Sequence, residues 1–219
     1  MNVLTTHARL SRLFALSVAL LMLSTPLTWA GKYNAVISIG DSMPAFTDLP
    51  NIDGNAMSSS DLDADIVVLI SLANHCPWVK GMDKDMVSLA RDFADQSVAF
   101  VGLSFNHRED DRLEAMKVHA RENGYGFDYL FDESQALGKA LGAVRTPEYF
   151  VFNKERELVY TGLLYNSPAK INRDGSVNYT KGEPTEFYVA DAINASLAGN
   201  LPDVTETKAH GCSVKYTQE

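Results

Sequence analysis

The segment Asp65-Ile66-Val67-Val68-Leu69-Ile70-Ser71 constrains the fold more than any other stretch of the chain. A continuous β-branched and apolar run fits a strand buried on both faces in the middle of a sheet, because a strand with one wet face alternates instead. After Ala73-Asn74-His75-Cys76-Pro77, a helical pattern runs from about Trp78 to Ala94, with Val79, Met82, Met86, Leu89, Ala90 and Phe93 on one stripe. A second apolar strand, Val98 to Phe105, precedes a helix from Asp111 to Asn123 that Asn123-Gly124 closes. A short strand at Tyr129 to Phe131 and a short helix from Ser134 to Leu141, ended by Gly142, come next. Tyr149 to Phe152 and Leu158 to Leu163 read as two strands of a hairpin joined by polar Asn153 to Glu157. Pro168 to Pro184 reads as a polar loop. Glu186 to Ala198 is the last helix, with Phe187, Ala190, Ile193 and Leu197 spaced to share its buried face. Strands alternating with helices predict an α/β domain with a central mixed sheet flanked by helices, its terminal strand pair antiparallel.

The two ends carry separate signals. Arg9 and Arg12 precede an apolar run from Leu13 to Leu23, and Thr28-Trp29-Ala30 stands before Gly31. A basic region, a short apolar core and small residues three and one before a cut describe a secretory signal peptide. The core is shorter than the roughly 20 apolar residues of a transmembrane helix, so no stable membrane insertion is expected after processing. Residues 1–30 are thus expected to be a signal peptide, 31–200 the folded domain, and 201–219 an extended tail that carries Cys212. The expected location is secreted, in the bacterial periplasm. Removing Arg9 and Arg12 leaves 17 basic against 28 acidic side chains, a net −11, which argues against nucleic acid or an anionic membrane surface as a partner. A domain of this length buries a sufficient core by itself, so its 2 cysteines are not a small-protein disulfide framework.

Cys76 is the chemically pointed residue. It follows a buried strand and opens a helix, and Pro77 suits a first helical position because no N–H is needed there. Free N–H groups and the helix dipole at that place stabilise a thiolate, the reactive form of the side chain. A buried, inert cysteine that happens to begin a helix is the alternative. Thr146-Pro147 just before the strand Tyr149 to Phe152 is a candidate cis-proline, which would set a tight turn facing the helix start.

Strand, cysteine-started helix, Thr-Pro and hairpin together resemble the thioredoxin-like fold, over roughly Gly40 to Gly199. More closely the chain resembles the peroxiredoxin-like redoxins, relatives of the alkyl hydroperoxide reductase and thiol-specific antioxidant proteins. The residues that carry this are Ile39-Gly40-Asp41-Ser42-Met43-Pro44-Ala45-Phe46, Asn74-His75-Cys76-Pro77-Trp78-Val79, Thr146-Pro147-Glu148 and Gly211-Cys212-Ser213-Val214-Lys215. The resemblance implies a redox-active Cys76, a cis bond before Pro147, and support of the site by Asn74, His75, Pro77, Trp78, Arg145, Thr146 and Pro147. The chain also departs from the pattern. Val79 stands where thioredoxins have their second cysteine, and Ile70 where they have a buried acid. Ala73 replaces the threonine that hydrogen-bonds peroxide in typical peroxiredoxins, and their active-site arginine has only a loose counterpart in Arg145.

Cys212 is the candidate partner of Cys76. It could be the resolving thiol that attacks a Cys76 sulfenic acid, or half of a structural disulfide that fixes the tail. His75 could lower the Cys76 pKa or cap its loop; His107 reads as a solvated loop residue and His119 as a surface one. His75, Cys76, His210 and Cys212 are four potential metal ligands, but their spacing matches no standard zinc set, and no metal or cofactor is expected. Trp78 and Val79 read as packing residues. The leading expectation is a secreted thiol oxidoreductase that acts on peroxide or on protein and small-molecule thiols and disulfides, with a reductant the sequence does not name. A noncatalytic binding module with a structural Cys76–Cys212 bond and a metal carrier are the alternatives.

Overall fold

The computed structural model describes residues 31–217, so the leader 1–30 lies outside the described residues. The chain first forms a small hairpin, β1 (Leu49–Pro50) with β2 (Ala56–Met57), and then β3 (Ile66–Leu72). There follow α1 (Pro77–Asp92), β4 (Val98–Ser104), α2 (Leu113–Asn123), β5 (Asp128–Phe131) and α3 (Ala136–Ala140). The second half holds β6 (Arg145–Thr146), β7 (Glu148–Phe152), β8 (Leu158–Gly162), β9 (Ala169–Ile171), β10 (Val177–Tyr179), α4 (Tyr188–Leu197) and β11 (Cys212–Ser213).

The main sheet has five strands in the order β5-β4-β3-β7-β8. β3 lies at its centre, parallel to β4 and antiparallel to β7, while β7 and β8 form the antiparallel pair. Every residue of β3 is buried, as its unbroken apolar run requires. Alternate residues serve opposite faces. Ile66, Val68, Ile70 and Leu72 pack with Val79, Met82 and Met86 of α1, Met116 of α2 and Val189 and Ile193 of α4. Val67 and Leu69 pack on the other face with Ile37, Phe46, Leu137, Leu141 and Val214. The mixed α/β sandwich expected from the sequence is present.

Two expectations are corrected. The 168–184 segment is not a bare loop: β9 and β10 form a hairpin around Asp174-Gly175 and lie along α1. Gly81 permits this approach, because a Cβ there would collide with the Lys170 backbone. The buried face of α4 is Val189, Ala192 and Ile193, whereas Phe187 and Leu197 are exposed. Ile193 is on the buried face as expected, and the small Ala192 beside it is fully covered. The extended tail is held down along its length. Thr207 accepts from the Leu163 amide and pairs with the Tyr160 hydroxyl, Val214 N–H donates to Val144, and the Tyr216 hydroxyl donates to Ala143. Beside these bonds, the alternate residues Cys212, Val214 and Tyr216 pack against the core.

Candidate functional site around Cys76 and Cys212

The loop that leaves the carboxyl end of β3 is fixed from three directions before it reaches Cys76. Asn74 donates to the Asp110 carbonyl at 2.7 Å and accepts from the Tyr129 hydroxyl at 3.0 Å. The Asp111 carboxylate takes the His75 backbone N–H at 3.2 Å and meets His75 Nδ1 at 2.6 Å. Asp111 is fully buried, so His75 is tied to a carboxylate and acts as a fastener of the loop. Cys76 then occupies the N-cap of α1 with extended backbone angles, and Pro77 takes the first helical position. Its side chain stands at the helix end, where backbone N–H groups lack intrahelical partners, but makes no capping hydrogen bond to them.

The cysteine-bearing segments meet across β6. The Thr146–Pro147 bond is cis, as the sequence suggested. The Thr146 carbonyl accepts from the Cys76 thiol at 3.1 Å, and Cys212 is the register partner of Thr146 in the β6–β11 ladder. The two sulfurs are 2.6 Å apart, inside ordinary nonbonded sulfur contact and close enough to join as a disulfide with little movement. Cys76 is fully buried and Cys212 is half-covered. Burial first, then the hydrogen bond with Cys76 and that group's charge, push the Cys212 thiol up, against a smaller opposing pull from Arg145.

Every residue expected at the site is near it, though not always in the expected role. Arg145 Nη1 donates to the Ser213 hydroxyl, so the guanidinium clamps the tail instead of facing the Cys76 sulfur. Trp78 meets the ring of His210 edge-on at 4.3 Å between centroids, which joins the Cys76 helix to the segment before Cys212. His119 is not on the surface: it is buried beside Asp83 at 3.2 Å and the Tyr125 hydroxyl at 3.3 Å. His107 reaches the Glu133 carbonyl. Among the described residues no group of three or more His, Cys, Asp or Glu is placed to hold a metal ion.

Sequence reasoning missed Asp111 and Glu148. Asp111 was read only as a helix start. Glu148 opens a fully buried strand, and an acid at that place was the available signal. Its carboxylate accepts from the Val144 and Arg145 amides at 2.9 and 3.2 Å. Burial pushes Glu148 up to about 7, partly offset by those amides and by the Arg145 charge. A carboxyl that binds its proton more tightly in the folded chain stabilises the fold fully below its unfolded value of 4.5, and loses that contribution as pH rises through about 7. The difference corresponds to about 3 kcal/mol. Glu148→Gln is expected to abolish this decline, and denaturant midpoints collected between pH 5 and 8 check it.

Comparison with known proteins agrees with this geometry. The AhpC/TSA family model matches residues 39–161. An uncharacterized conserved protein from Geobacillus kaustophilus has 32% identity and a TM-score of 0.74, covering 85% of this chain and 96% of its own. A hypothetical protein from Sinorhizobium meliloti has 29% identity and a TM-score of 0.73, covering 84% and 97%. The thioredoxin domain of a thiol-disulfide oxidoreductase from Bacteroides vulgatus has 20% identity over 58% of this chain and 89% of its own; its TM-score of 0.51 speaks to the fold alone. Comparison with curated proteins gave no match. On the family match and the mixed five-stranded sheet whose central strand leads through a short loop to Cys76, the chain belongs to the AhpC/TSA family and has a thioredoxin-like fold.

Proposed function

We propose that the protein is a secreted thiol–disulfide oxidoreductase in which Cys76 is the nucleophile and Cys212 its resolving partner. The observation that carries this reading is the juxtaposition of the Cys76 and Cys212 sulfurs, 2.6 Å apart, at a helix N-terminus. The Cys76 thiolate attacks a disulfide, forms a mixed disulfide and expels one thiolate. Cys212 then attacks the Cys76 sulfur, closes the Cys76–Cys212 bond and expels the second. The substrate gains two electrons and the protein loses them; a reducing thiol partner returns them by the reverse steps. No dissociable cofactor takes part. Because Cys76 is covered, β11 has to lift for a disulfide to reach it, and the β6–β11 ladder of two residues per strand is a small obstacle.

Peroxide reduction is the second reading, favoured by the family match over residues 39–161. There the thiolate takes the terminal oxygen of a hydroperoxide and releases an alcohol or water; Cys212 then displaces hydroxide from the sulfenic acid. Ala73 brings no hydroxyl to that oxygen and Arg145 is engaged with Ser213, which favours disulfide exchange as the faster reaction. Secretion to the periplasm rests on the Arg9, Arg12 and Leu13 to Leu23 pattern, and a mature chain beginning at Gly31 is its test.

Reduced protein mixed separately with glutathione disulfide and with hydrogen peroxide, acid-quenched and weighed intact, distinguishes the readings. Formation of the Cys76–Cys212 disulfide with glutathione disulfide faster than with peroxide supports exchange. Rapid sulfenate and then disulfide with peroxide transfers the assignment to peroxidase, and inertness to both leaves a noncatalytic module.

A further inference from the structure

The peptide unit that joins Val144 to Arg145 is gripped on both sides. Its N–H donates to Glu148 Oε2 at 3.2 Å, and its carbonyl accepts the Val214 N–H of the tail at 3.1 Å. The preceding amide, that of Val144, donates to the same carboxylate oxygen at 2.9 Å. One residue further on, Thr146 pairs with Cys212 and offers its carbonyl to the Cys76 thiol. A single buried carboxylate therefore fastens the strand that both cysteines touch.

We propose that Glu148 is a positioning residue for the cysteine pair: by holding the Val144 and Arg145 amides it fixes the strand that seats Cys212, and so sets how effectively Cys212 meets Cys76. This deepens the reading of Cys76 and Cys212 as a redox couple and rests on it. An ionised carboxylate is roughly twice as strong an acceptor as a neutral one. It also polarises the shared peptide, so the carbonyl facing Val214 becomes a better acceptor in turn. Protonation of Glu148 weakens both bonds, and its position near neutrality places that change in an ordinary pH range. The titratable and charged groups around it are Arg145 on β6, Tyr160 on β8, and Tyr216 in the tail, which also feels Asp132. Ser71, its register partner on β3, brings no charge. The tyrosines are pushed up and stay neutral, and Glu148 is the group of this set that burial moves into the range between about pH 5 and 8.

The test compares wild type with Glu148→Gln in glutathione redox buffers from about pH 5.5 to 8, reading the effective concentration of the Cys76–Cys212 pair by acid quench and intact mass. Ionisation of glutathione and of the two cysteines cancels in the ratio of the two proteins. The expected ratio is about tenfold in favour of wild type at pH 8, falling to within about twofold at pH 5.5, because a protonated glutamate and a glutamine are alike as acceptors. The variant should be no less stable than wild type at pH 8, so the loss is not one of folding. Superimposed curves at pH 8 would overturn the proposal, and so would an offset that does not change with pH. If no disulfide forms in either protein at any glutathione ratio, the redox reading fails. Amide exchange in the reduced proteins then decides the strand claim: protection at Val144, Arg145 and Val214 should fall about tenfold in the variant at pH 8, and equal protection overturns it.

Discussion

Cys76→Ser is expected to fold and to lose disulfide exchange by on the order of a thousandfold or more. Serine is a good N-cap residue, so the start of α1 survives the change. What disappears is the thiolate held at the helix end, since a hydroxyl does not ionise near neutrality. Cys212 cannot substitute for it, because burial keeps that thiol well above the ordinary range and leaves little thiolate at neutral pH. Cys212→Ser should behave differently: the first attack proceeds and the protein stalls as a mixed disulfide on Cys76. Intact mass against time with glutathione disulfide separates the two. Near-normal exchange in Cys76→Ser would move the nucleophile to the tail.

Gly211→Ala is expected to lower the effective concentration of the cysteine pair about a hundredfold, with a thermal midpoint close to wild type. Gly211 has φ 153°, and a Cβ there would overlap the Thr146 carbonyl oxygen, the same atom that accepts from Cys76. The obstacle is backbone, so no side-chain rotation relieves it. The β6–β11 ladder must open and Cys212 must leave its place opposite Thr146. The β6–β11 ladder is only two residues per strand beside a five-stranded sheet, so the thermal midpoint should move little. A glutathione titration gives the effective concentration and circular dichroism the midpoint; an unchanged pair in the alanine variant would show that the docked tail is not what brings the thiols together.

The parts of the fold that obey a period were legible from the residues. The unbroken run of β3 put it at the centre of the sheet, and Cys76-Pro77 marked the start of α1, because a residue without an N–H fits that position. The site was legible where chemistry is local, in Cys76, Thr146 and Pro147. It was not legible where polar groups meet across distant segments. Asp111 lies 36 positions from the His75 that it holds, and Asn34 secures the Leu141 carbonyl across 107. The tail was opaque in part for the same reason: bonds such as those of Thr207 and Gln135 hold it across long separations. Arg145 shows the limit of resemblance, since its position was anticipated and its partner, Ser213, was not.

The reduction potential of the Cys76–Cys212 pair is the most direct measure of whether it is a working couple. The protein is equilibrated with graded glutathione ratios, quenched with acid, and mapped by nonreducing peptide analysis. The expected result is one intramolecular disulfide that titrates above about −300 mV, within the range of roughly −270 to −120 mV occupied by active dithiols. Two free thiols under every oxidising condition, a bond between separate chains, or an intramolecular bond that no glutathione ratio reduces would contradict it.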